Sequence, residues 1–594
     1  MARSFRTQVE MIAGHAKAAP DRVAMRQKEF GIWQELTWAD LQDVTRALAA
    51  GLIELGMEHG AHCGILGENR QEWVLAQFGI AAAGGVVVGM YPTSPAAEIE
   101  HLVNASDTTI LFIEDQEQLD KIVDLRGRLP KLRQLIVFDP KGTGQSRELD
   151  LTSFDALLER GRAALAAQAA QEAEIARRQG LVKAEDTAMM VFTSGSTGLP
   201  KAAMISHANL SAAADYARQI FADFPPGTNV LSYLPLCHIA EQNVTVTNAL
   251  AGQMVMNFGE SLRTIRLDLR DVAPEIFFGV PRIWEKTQAE ISVQAATAGP
   301  VRRPMILKAL QVAKELGAKR RDSWSAAERL RWRFWDLVIY RHIAITAAAP
   351  ISEDLLAFVR GIGINAREAW GMSETTGAAS IQPDWGCSDG RVGFFIEGVE
   401  HRIAQDGELL VRGPIVFKGY YRNEEATAEA LTGDGWLHTG DVAEHAPDGS
   451  ITLIDRKKDI MINAAGKNLS PSLIENVMKA SPYIKECIVI ADRRQYVTAL
   501  VQIDMDTVRI WAENKKIAYT TFRSLAENPR VQELIEGEVA RLNGQLARVE
   551  QIKKVWLLPK ELDHDDGEVT ATMKVRRARI YQSYGDRIEA LYAR

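Results

Sequence analysis

Thr193-Ser194-Gly195-Ser196-Thr197-Gly198-Leu199-Pro200-Lys201 is the stretch from which the fold of this chain can be worked out. It follows the apolar run 188–192, which predicts a buried strand, and precedes a second apolar segment, 202–205. Glycine permits positive φ and close backbone approach, so successive N–H groups in such a loop can converge on a phosphate. The hydroxyl groups add donors, and Lys201 adds a positive charge. The residues therefore favour a polyphosphate-binding loop, although a plain polar turn has the same composition.

The loop is not a Walker A motif, because its two glycines are too close together and Ala202 follows the lysine. Four further motifs occur downstream: Trp370-Gly371-Met372-Ser373-Glu374-Thr375-Thr376-Gly377, Gly435-Trp436-Leu437-His438-Thr439-Gly440-Asp441, Asp455-Arg456-Lys457-Lys458-Asp459 and Gly567-Glu568-Val569-Thr570-Ala571-Thr572-Met573-Lys574. In order and spacing, the five motifs resemble those of the adenylate-forming (AMP-binding) superfamily. The last motif, with segments 278–286 and 551–554, resembles the long-chain fatty acyl-CoA synthetase branch.

The resemblance implies an ATP-dependent, AMP-forming acyl-CoA ligase. A carboxylic acid and ATP would give an acyl-adenylate and pyrophosphate, and the thiolate of coenzyme A would then give acyl-CoA and AMP. ATP, Mg²⁺ and coenzyme A are thus the expected cofactors, and a long-chain fatty acid is the acid that the branch implies. An aryl or steroid-type acid, transfer of the adenylate to a carrier protein, and a nucleotide- and lipid-binding sensor without turnover are the alternatives.

The motifs also assign candidate site residues. The expected nucleotide-binding residues are Thr193, Ser194, Gly195, Ser196, Thr197, Gly198, Lys201, Trp370, Gly371, Thr375, Asp441, Arg456 and Lys458. Thr193 and Glu374 are the expected Mg²⁺ ligands, since this hard ion prefers oxygen donors. Asp441 can accept hydrogen bonds from both ribose hydroxyls.

Catalysis is expected from Lys574, Glu374 and His238. The resemblance implies that Lys574 serves the carboxylate and the α-phosphate, where charge changes during adenylation. His238 matches the position where the family has an aromatic residue or a histidine near the acyl carboxylate. A lone histidine beside apolar residues is equally well a packed core group, and both interpretations are open.

The sequence departs from the family pattern at two places. Trp370 stands where the family usually has a tyrosine against the adenine; an indole stacks equally well but has no hydroxyl donor. Ala347-Ala348-Ala349-Pro350 stands where relatives commonly have Gly-Gly before Ala-Pro, and the extra methyl groups would tighten the adenine slot.

Length and composition predict a multidomain globular protein. The chain has 594 residues, which is too long for one ordinary core, and its net charge of −8 argues against a nucleic-acid binder. The four cysteines, Cys63, Cys237, Cys387 and Cys487, lie far apart, which suits a reducing compartment and gives no zinc motif. The N-terminus lacks an apolar signal core, and no run of 18 apolar residues occurs. We expect a cytoplasmic location.

The pattern of elements predicts two domains. Helical stretches such as 38–55 alternate with strand-like runs such as 62–66, 109–113 and 135–138, which indicates a layered α/β fold. From Arg456 onward the pattern is that of a small α+β unit. We therefore predict an N-terminal nucleotide- and acyl-binding domain, 1–455, and a mobile C-terminal lid domain, 456–594. Rotation about Lys458 would remove Lys574 after adenylation and bring 464–467 to the thiol.

Two segments carry weaker signals. Residues 290–345 read as helical and are rich in arginine and tryptophan, as in 329–335. One interpretation is contact with a membrane surface. The other, which is the commoner arrangement, is a helical insertion whose tryptophans pack inward while its arginines stay solvated. The acyl pocket is expected between 238–247 and 277–281.

Overall fold

The computed structural model describes residues 6–145, 151–167, 169–193, 199–279, 283–284, 287–288, 291, 302–335, 353–386, 390–564, 566–570 and 574–593. Several predicted features lie outside the described residues. They are the loop residues Ser194–Gly198, the segment 347–350, residues 280–282 and 285–286, and residues 571–573 of the lysine motif.

The first part of the chain alternates helices and strands. Its elements are α1 (Gln8–Ala18), β1 (Val23–Glu29), β2 (Ile32–Thr37), α2 (Trp38–Glu54), β3 (His62–Leu66), α3 (Gln71–Ala82), β4 (Val86–Met90), α4 (Ala96–Ala105), β5 (Ile110–Ile113), α5 (Gln116–Asp124), β6 (Gln134–Val137), β7 (Leu151–Ser153), α6 (Phe154–Ala167), α7 (Ala169–Leu181), β8 (Thr187–Thr193) and β9 (Lys201–Ser206). A capping box of Thr37 and Asp40 begins α2, where the sequence predicted a helix.

Seven of these strands form one sheet, in the order β7-β6-β5-β3-β4-β8-β9. All neighbours are parallel except β8 and β9. Every residue of β4 and β5 is buried, as expected for parallel strands covered on both faces. The carboxyl ends of parallel strands share one edge of a sheet, and β8 ends there at Thr193, directly before the predicted phosphate loop.

The next part surrounds a second and a third sheet. It contains α8 (His207–Ile220), β10 (Asn229–Ser232), α9 (Ile239–Glu241), a π-helical segment (Gln242–Thr247), α10 (Asn248–Gly252), β11 (Val255–Phe258), α11 (Ile265–Val272), α12 (Arg302–Gly317), α13 (Ala326–Trp335), α14 (Glu353–Gly361), β12 (Ala369–Met372), β13 (Gly377–Ile381), β14 (Arg391–Phe395), β15 (Glu400–Ile403), β16 (Glu408–Arg412), α15 (Glu424–Ala430), β17 (Leu437–His445) and β18 (Ile451–Arg456). One sheet has the order β10-β11-β1-β2, and the antiparallel one has the order β12-β13-β14-β18-β17-β16-β15.

The last part of the chain has a core of its own. Its elements are β19 (Met461–Ile462), β20 (Asn468–Leu469), α16 (Pro471–Lys479), β21 (Ile484–Ile490), β22 (Val497–Ile503), α17 (Met505–Asn514), α18 (Phe522–Ala526), α19 (Pro529–Leu542), β23 (Ile552–Leu557) and α20 (Arg577–Tyr592). The sheet β21-β22-β23 buries Val489 and Val501 with Ile535 in one cluster, and Leu500 with Ile580 in another. The predicted α/β layering and the small α+β unit are both confirmed; the domain boundary at 456 stays a prediction.

The helical segment predicted within 290–345 is confirmed for α12 and α13. Trp324 and Trp332 are buried in a cluster with Leu316 and Val359. Among the described residues, no helix combines the length and the apolar character that a membrane crossing requires.

Candidate active site

The end of β8 and the start of β9 carry the first candidate residues. Thr193 and Lys201 pair across the two strands, so the loop between them begins and ends at the edge of the sheet. The Lys201 ammonium lies 5.4 Å from the centroid of the Tyr420 ring, a cation–π contact. The hydroxyl of Thr193 also interacts with that of Tyr420.

A short 3₁₀ turn, Ser373–Thr375, presents Glu374 directly after β12. The Thr375 hydroxyl holds this turn, because it donates to the Gly377 carbonyl at 2.7 Å and accepts from the Met372 N–H at 2.9 Å. At Gly371 only glycine fits, since a Cβ there would lie 1.9 Å from the Gly377 carbonyl oxygen. Gly371 and Thr375 therefore shape the turn; their predicted contact with the nucleotide stays a prediction.

The Glu374 carboxylate is buried and held by a tyrosine that sequence reasoning missed. The Tyr420 hydroxyl donates to Glu374 Oε1 at 2.6 Å. Burial and the neighbouring carboxylate raise the pKa of Tyr420, so the phenol remains a donor. Tyr420 follows Gly419 in the loop between β16 and α15, and nothing in its local sequence distinguishes it from an ordinary loop aromatic.

Asp441 uses both carboxylate oxygens. It lies opposite Arg456 in the β17–β18 pair, and Arg456 Nε is 2.7 Å from Oδ1. The indole Nε1–H of Trp370 donates to Oδ2 at 2.8 Å. Burial raises the pKa of Asp441, and Arg456 and Trp370 oppose that shift. Although Trp370 lacks the hydroxyl of tyrosine, as the sequence indicated, its own N–H thus serves as a donor to the predicted ribose ligand.

Lys574 comes to the same cleft from the C-terminal part. Its backbone N–H donates to Thr570 Oγ1 at 3.1 Å. The Lys574 side chain is exposed, but the protein around its ammonium removes part of the hydration. This desolvation lowers the pKa of Lys574, and the positive charge of Arg456 lowers it further. Asp441 and Glu374 act in the opposite direction, which indicates that all these charges face one another. The structure therefore brings Lys574 together with Glu374 and Asp441.

Lys458 adds another positive charge at this cleft. Burial lowers its pKa first, and Arg456 and Lys201 lower it further. The neighbouring Lys457 points the other way, to Asp406 and Glu408 at 2.6 and 3.0 Å. Of the two neighbouring lysines, Lys458 is thus the one that faces the other cations of the cleft.

His238 lies at the start of α9 with a defined tautomer. Its Nδ1 accepts the backbone N–H of Ala240 at 3.0 Å, so in the neutral ring the proton is on Nε2. Burial, with a contribution from Lys574, lowers the pKa of His238 to about 4. At neutral pH this residue is therefore an uncharged N–H donor near Lys574, and its role in the site stays a prediction.

An apolar pocket adjoins this group of polar residues. Its cavity is about 90 Å³. The walls include Tyr216 and Phe221 near α8, Asn243 and Val244 in the π-helical segment, Phe277 and Phe278, and Ala369 and Ala378 on β12 and β13. Asn243 also donates to the Thr376 carbonyl at 3.0 Å, which connects the pocket wall to the Glu374 turn. The walls that the sequence predicted, 238–247 and 277–281, both contribute described residues here.

Comparison with known families decides the class of the chain. The sequence profile of the AMP-binding enzyme family matches residues 12–421, and that of the AMP-binding enzyme C-terminal domain matches residues 458–594. The chain belongs to the AMP-binding enzyme family. The resemblance drawn from the five motifs is thereby confirmed.

This AMP-binding enzyme is similar to curated ligases over most of its length. It is 32% identical to the long-chain-fatty-acid–CoA ligase FadD15 of Mycobacterium tuberculosis, over 98% of this chain and 96% of that protein. It is 29% identical to human long-chain-fatty-acid–CoA ligase 1, over 94% and 83%. These relatives confirm the predicted enzyme class, an AMP-forming acid–thiol ligase that uses ATP, an acid and CoA.

Solved structures confirm the fold. The adenylation domain of the carboxylate reductase from Mycobacterium chelonae aligns with a TM-score of 0.74 at 18% identity, over 100% of this AMP-binding enzyme and 92% of that chain. The o-succinylbenzoate CoA synthetase of Bacillus subtilis, solved with its acyl-adenylate intermediate, aligns with a TM-score of 0.67 at 18% identity, over 97% and 98%.

Proposed function

We propose that this enzyme activates a long-chain fatty acid as its adenylate and transfers the acyl group to coenzyme A. The observation that supports this most is the convergence of Lys574, Glu374 and Asp441 on one cleft beside an apolar pocket. The names of the relatives support the chain length of the acid. A carboxylate and ATP are both anionic, and Lys201, Arg456, Lys458 and Lys574 supply the positive charge that their meeting needs.

The donor set of the cleft fits Mg²⁺. Glu374 is a buried carboxylate, and among the described residues only its Oε1 has a hydrogen-bond partner. Thr193 adds a hydroxyl. The described residues contain no cluster of three or more His, Cys, Asp or Glu side chains that would hold a metal by itself. Mg²⁺ typically binds through one or two protein carboxylates together with substrate phosphates, where it neutralises phosphate charge.

We assign the remaining roles in adenylation from the contacts. Asp441, oriented by Trp370 and Arg456, has lone pairs left for the ribose hydroxyls. Lys574 stabilises the charge that changes at the carboxylate and the α-phosphate. His238 donates its Nε2–H to an acyl oxygen and, being neutral, adds no charge. No nucleophilic side chain is needed, because the phosphoanhydride of ATP supplies the activation.

For thioester formation we propose that the part of the lid that follows Lys458 rotates about this residue. Arg456 and Lys457 stay paired with Asp441, Asp406 and Glu408. The present arrangement is held in part by Asp455, which accepts from Ser470 Oγ at 2.6 Å and from Ser472 Oγ at 2.8 Å at the start of α16. A rotation at Lys458 separates these residues, so the hydrogen bonds favour the adenylation arrangement. The lid motion withdraws Lys574 and opens the cleft to the thiol.

The test of the reaction is acid-dependent ATP–pyrophosphate exchange without CoA, followed by acyl-CoA formation when CoA is added. Exchange without any thioester from CoA would favour a carrier-loading enzyme. An absence of exchange with every acid would favour a sensor without turnover.

The test of the substrate is a chain-length series. The pocket of about 90 Å³ is smaller than the roughly 300–1,000 Å³ typical of ligand pockets, so a long chain must widen it. Each methylene that enters an apolar tunnel contributes up to about 0.8 kcal/mol, or at most about fourfold in kcat/KM. With saturated acids of eight to eighteen carbons, kcat/KM should rise and then flatten. A flat series with an aromatic acid as the best substrate would contradict the long-chain assignment and leave the ligase reaction standing.

A further inference from the structure

Helix α13 exposes an apolar strip that no described part of the chain covers. Leu330 and Phe334 are 72% and 54% exposed. They lie four residues apart and therefore on the same face of the helix. Trp332, in contrast, is 8% exposed and donates from Nε1 to the Gly361 carbonyl at 2.8 Å. The tryptophan belongs to the core, as one of the two interpretations of this segment expected, but the apolar strip does not.

Two arginines run beside this strip. Arg329 and Arg333 also lie four residues apart, and at 100° per residue they stand between the buried Trp332 and the exposed Leu330 and Phe334. Both are exposed. The surface of α13 thus presents a cationic row beside an exposed apolar row, and these are the two kinds of side chain with which interfacial helices contact a membrane.

The same two arginines form part of the wall of a cavity of about 410 Å³. Within it the Arg321 guanidinium lies 4.0 Å from the ring centroid of Trp385 and 4.5 Å from that of Trp332. Among the residues that the structure describes, four arginines line this cavity, and two carboxylates, Asp322 and Asp384, offset part of their charge. The excess of positive charge contrasts with the chain as a whole, which carries a net charge of −8.

We propose that α13 and this cavity form a docking surface for an anionic phospholipid membrane. Leu330 and Phe334 enter the boundary between headgroups and acyl chains, and Arg329 and Arg333 contact lipid phosphates. Charge complementarity selects this occupant, because an acidic protein is repelled by an anionic bilayer except where cations concentrate. A second copy of the chain fits less well, since a two-fold interface centred on α13 brings the arginine pairs of both copies close together.

The experiment measures binding of the full chain to vesicles by sedimentation. Vesicles of phosphatidylcholine with 30% phosphatidylglycerol should bind the wild-type protein at low salt, and vesicles of phosphatidylcholine alone should bind it much less. One arginine near an anionic surface is worth about fivefold in partitioning, so Arg333→Gln with Phe334→Gln should weaken binding by about tenfold or more. High salt should weaken wild-type binding in the same way.

A matched control removes one arginine and one phenylalanine elsewhere on the surface. Phe30 is 92% exposed at the β1–β2 turn, and the Arg493 side chain is 92% exposed. The double variant Phe30→Gln with Arg493→Gln should bind vesicles as the wild type does. Ligation of a water-soluble medium-chain acid should be unchanged in both double variants, which shows that each is folded.

Three outcomes would overturn the proposal. They are equal binding to neutral and anionic vesicles, equal loss in the α13 variant and the control variant, and wild-type self-association without lipid that Arg333→Gln with Phe334→Gln abolishes. The last result would identify a second copy of the chain as the occupant.

Discussion

The two sides of the candidate active site are built differently. On the N-terminal side, Glu374 and Asp441 are buried carboxylates that accept from the neutral donors Tyr420 and Trp370 at 2.6 and 2.8 Å, and Asp441 also pairs with Arg456. On the C-terminal side, the Lys574 ammonium makes no hydrogen bond or ion pair with any residue that the structure describes. The N-terminal side is therefore preorganised by hydrogen bonds. The position of the Lys574 ammonium, in contrast, is not fixed by a hydrogen bond or ion pair to any described residue.

This difference suggests that the N-terminal side stays in place and that the C-terminal side, with Lys574, moves. Displacing a buried, hydrogen-bonded carboxylate would cost the protein much stability, because a buried charge without a partner is unfavourable. Lys574 loses no partner among the described residues when it withdraws. Beside the lysine motif, Arg576 of the C-terminal part forms an ion pair with Glu98 of the N-terminal part. The two charged groups are 3.8 Å apart and partly exposed. Such a pair contributes about 0–1 kcal/mol and does not lock the lid.

Removing Lys574, the lysine of the C-terminal side, should have the largest effect. For Lys574→Ala we expect adenylate formation to fall by about a hundredfold to a thousandfold, because a charge that acts in the transition state is lost. Conversion of a supplied acyl-adenylate to acyl-CoA should be largely spared. Single-turnover measurements of each half-reaction check this, with Lys515→Ala as a control at an exposed lysine of the same C-terminal part. Equal losses in both half-reactions would mean that Lys574 serves both arrangements.

Blocking the rotation should give the opposite pattern. Proline fixes φ near −65°, and among the described residues the Lys458 N–H makes no backbone hydrogen bond that a proline would remove. For Lys458→Pro we expect thioester formation to fall by about tenfold to a hundredfold, the result of about 1–3 kcal/mol of backbone strain in the rotated state. Adenylation should fall only as far as it does in Lys458→Ala, which removes the same ammonium but leaves φ free. The same pair of single-turnover assays decides, and an unchanged thioester rate would move the hinge elsewhere.

The sequence placed the charged residues of both sides in motifs, but it did not indicate the neutral donors that hold the two carboxylates. Lys574 and Lys458 lie in contiguous motifs, so their part in the site follows from local order along the chain. Helices and strands were also predictable, since β8 and α2 follow from apolar runs and capping residues. Tyr420 was not, because it meets Glu374 across 46 residues of chain and depends on how two loops pack.

The role of Trp370 illustrates the same limit. The sequence identified the indole as a departure from tyrosine, but its N–H meets Asp441 across 71 residues. The direction of that N–H depends on the tertiary structure that brings Trp370 of β12 to Asp441 of β17, although three strands lie between β12 and β17 in the sheet order. The size of the acyl pocket has the same origin, since its walls come from α8, the π-helical segment and two strands.

Trp370→Phe tests the fixed side, with an intermediate effect. Phenylalanine keeps an aromatic face for the adenine but cannot donate to Asp441. A hydrogen bond to a charged group is worth about 1.5–3 kcal/mol, so kcat/KM for ATP should fall by about tenfold to a hundredfold. With 2′-deoxy-ATP the loss should be clearly smaller, because one ribose hydroxyl that Asp441 serves is already absent. Equal losses with both nucleotides would assign Trp370 to stacking alone.

The smallest effect is expected from Tyr420→Phe, which removes one hydroxyl from the fixed side. The ring remains, and with it the contact to Lys201 at 5.4 Å and the packing on Phe417 at 4.9 Å, so the variant isolates the hydrogen bond to Glu374. Without that donor the carboxylate is less well oriented, and about 1 kcal/mol of lost orientation raises the Mg²⁺ concentration needed for half-maximal exchange by about fivefold. Saturating Mg²⁺ should restore most of the turnover, because the proposed ligand itself is still present. Glu374→Gln is the comparison, since an amide oxygen is a weaker ligand and added Mg²⁺ should restore less. If Tyr420→Phe lowered turnover equally at all Mg²⁺ concentrations, the hydroxyl would act on the substrates directly. The N-terminal side would then contribute to the reaction through Tyr420 as well as through its carboxylates.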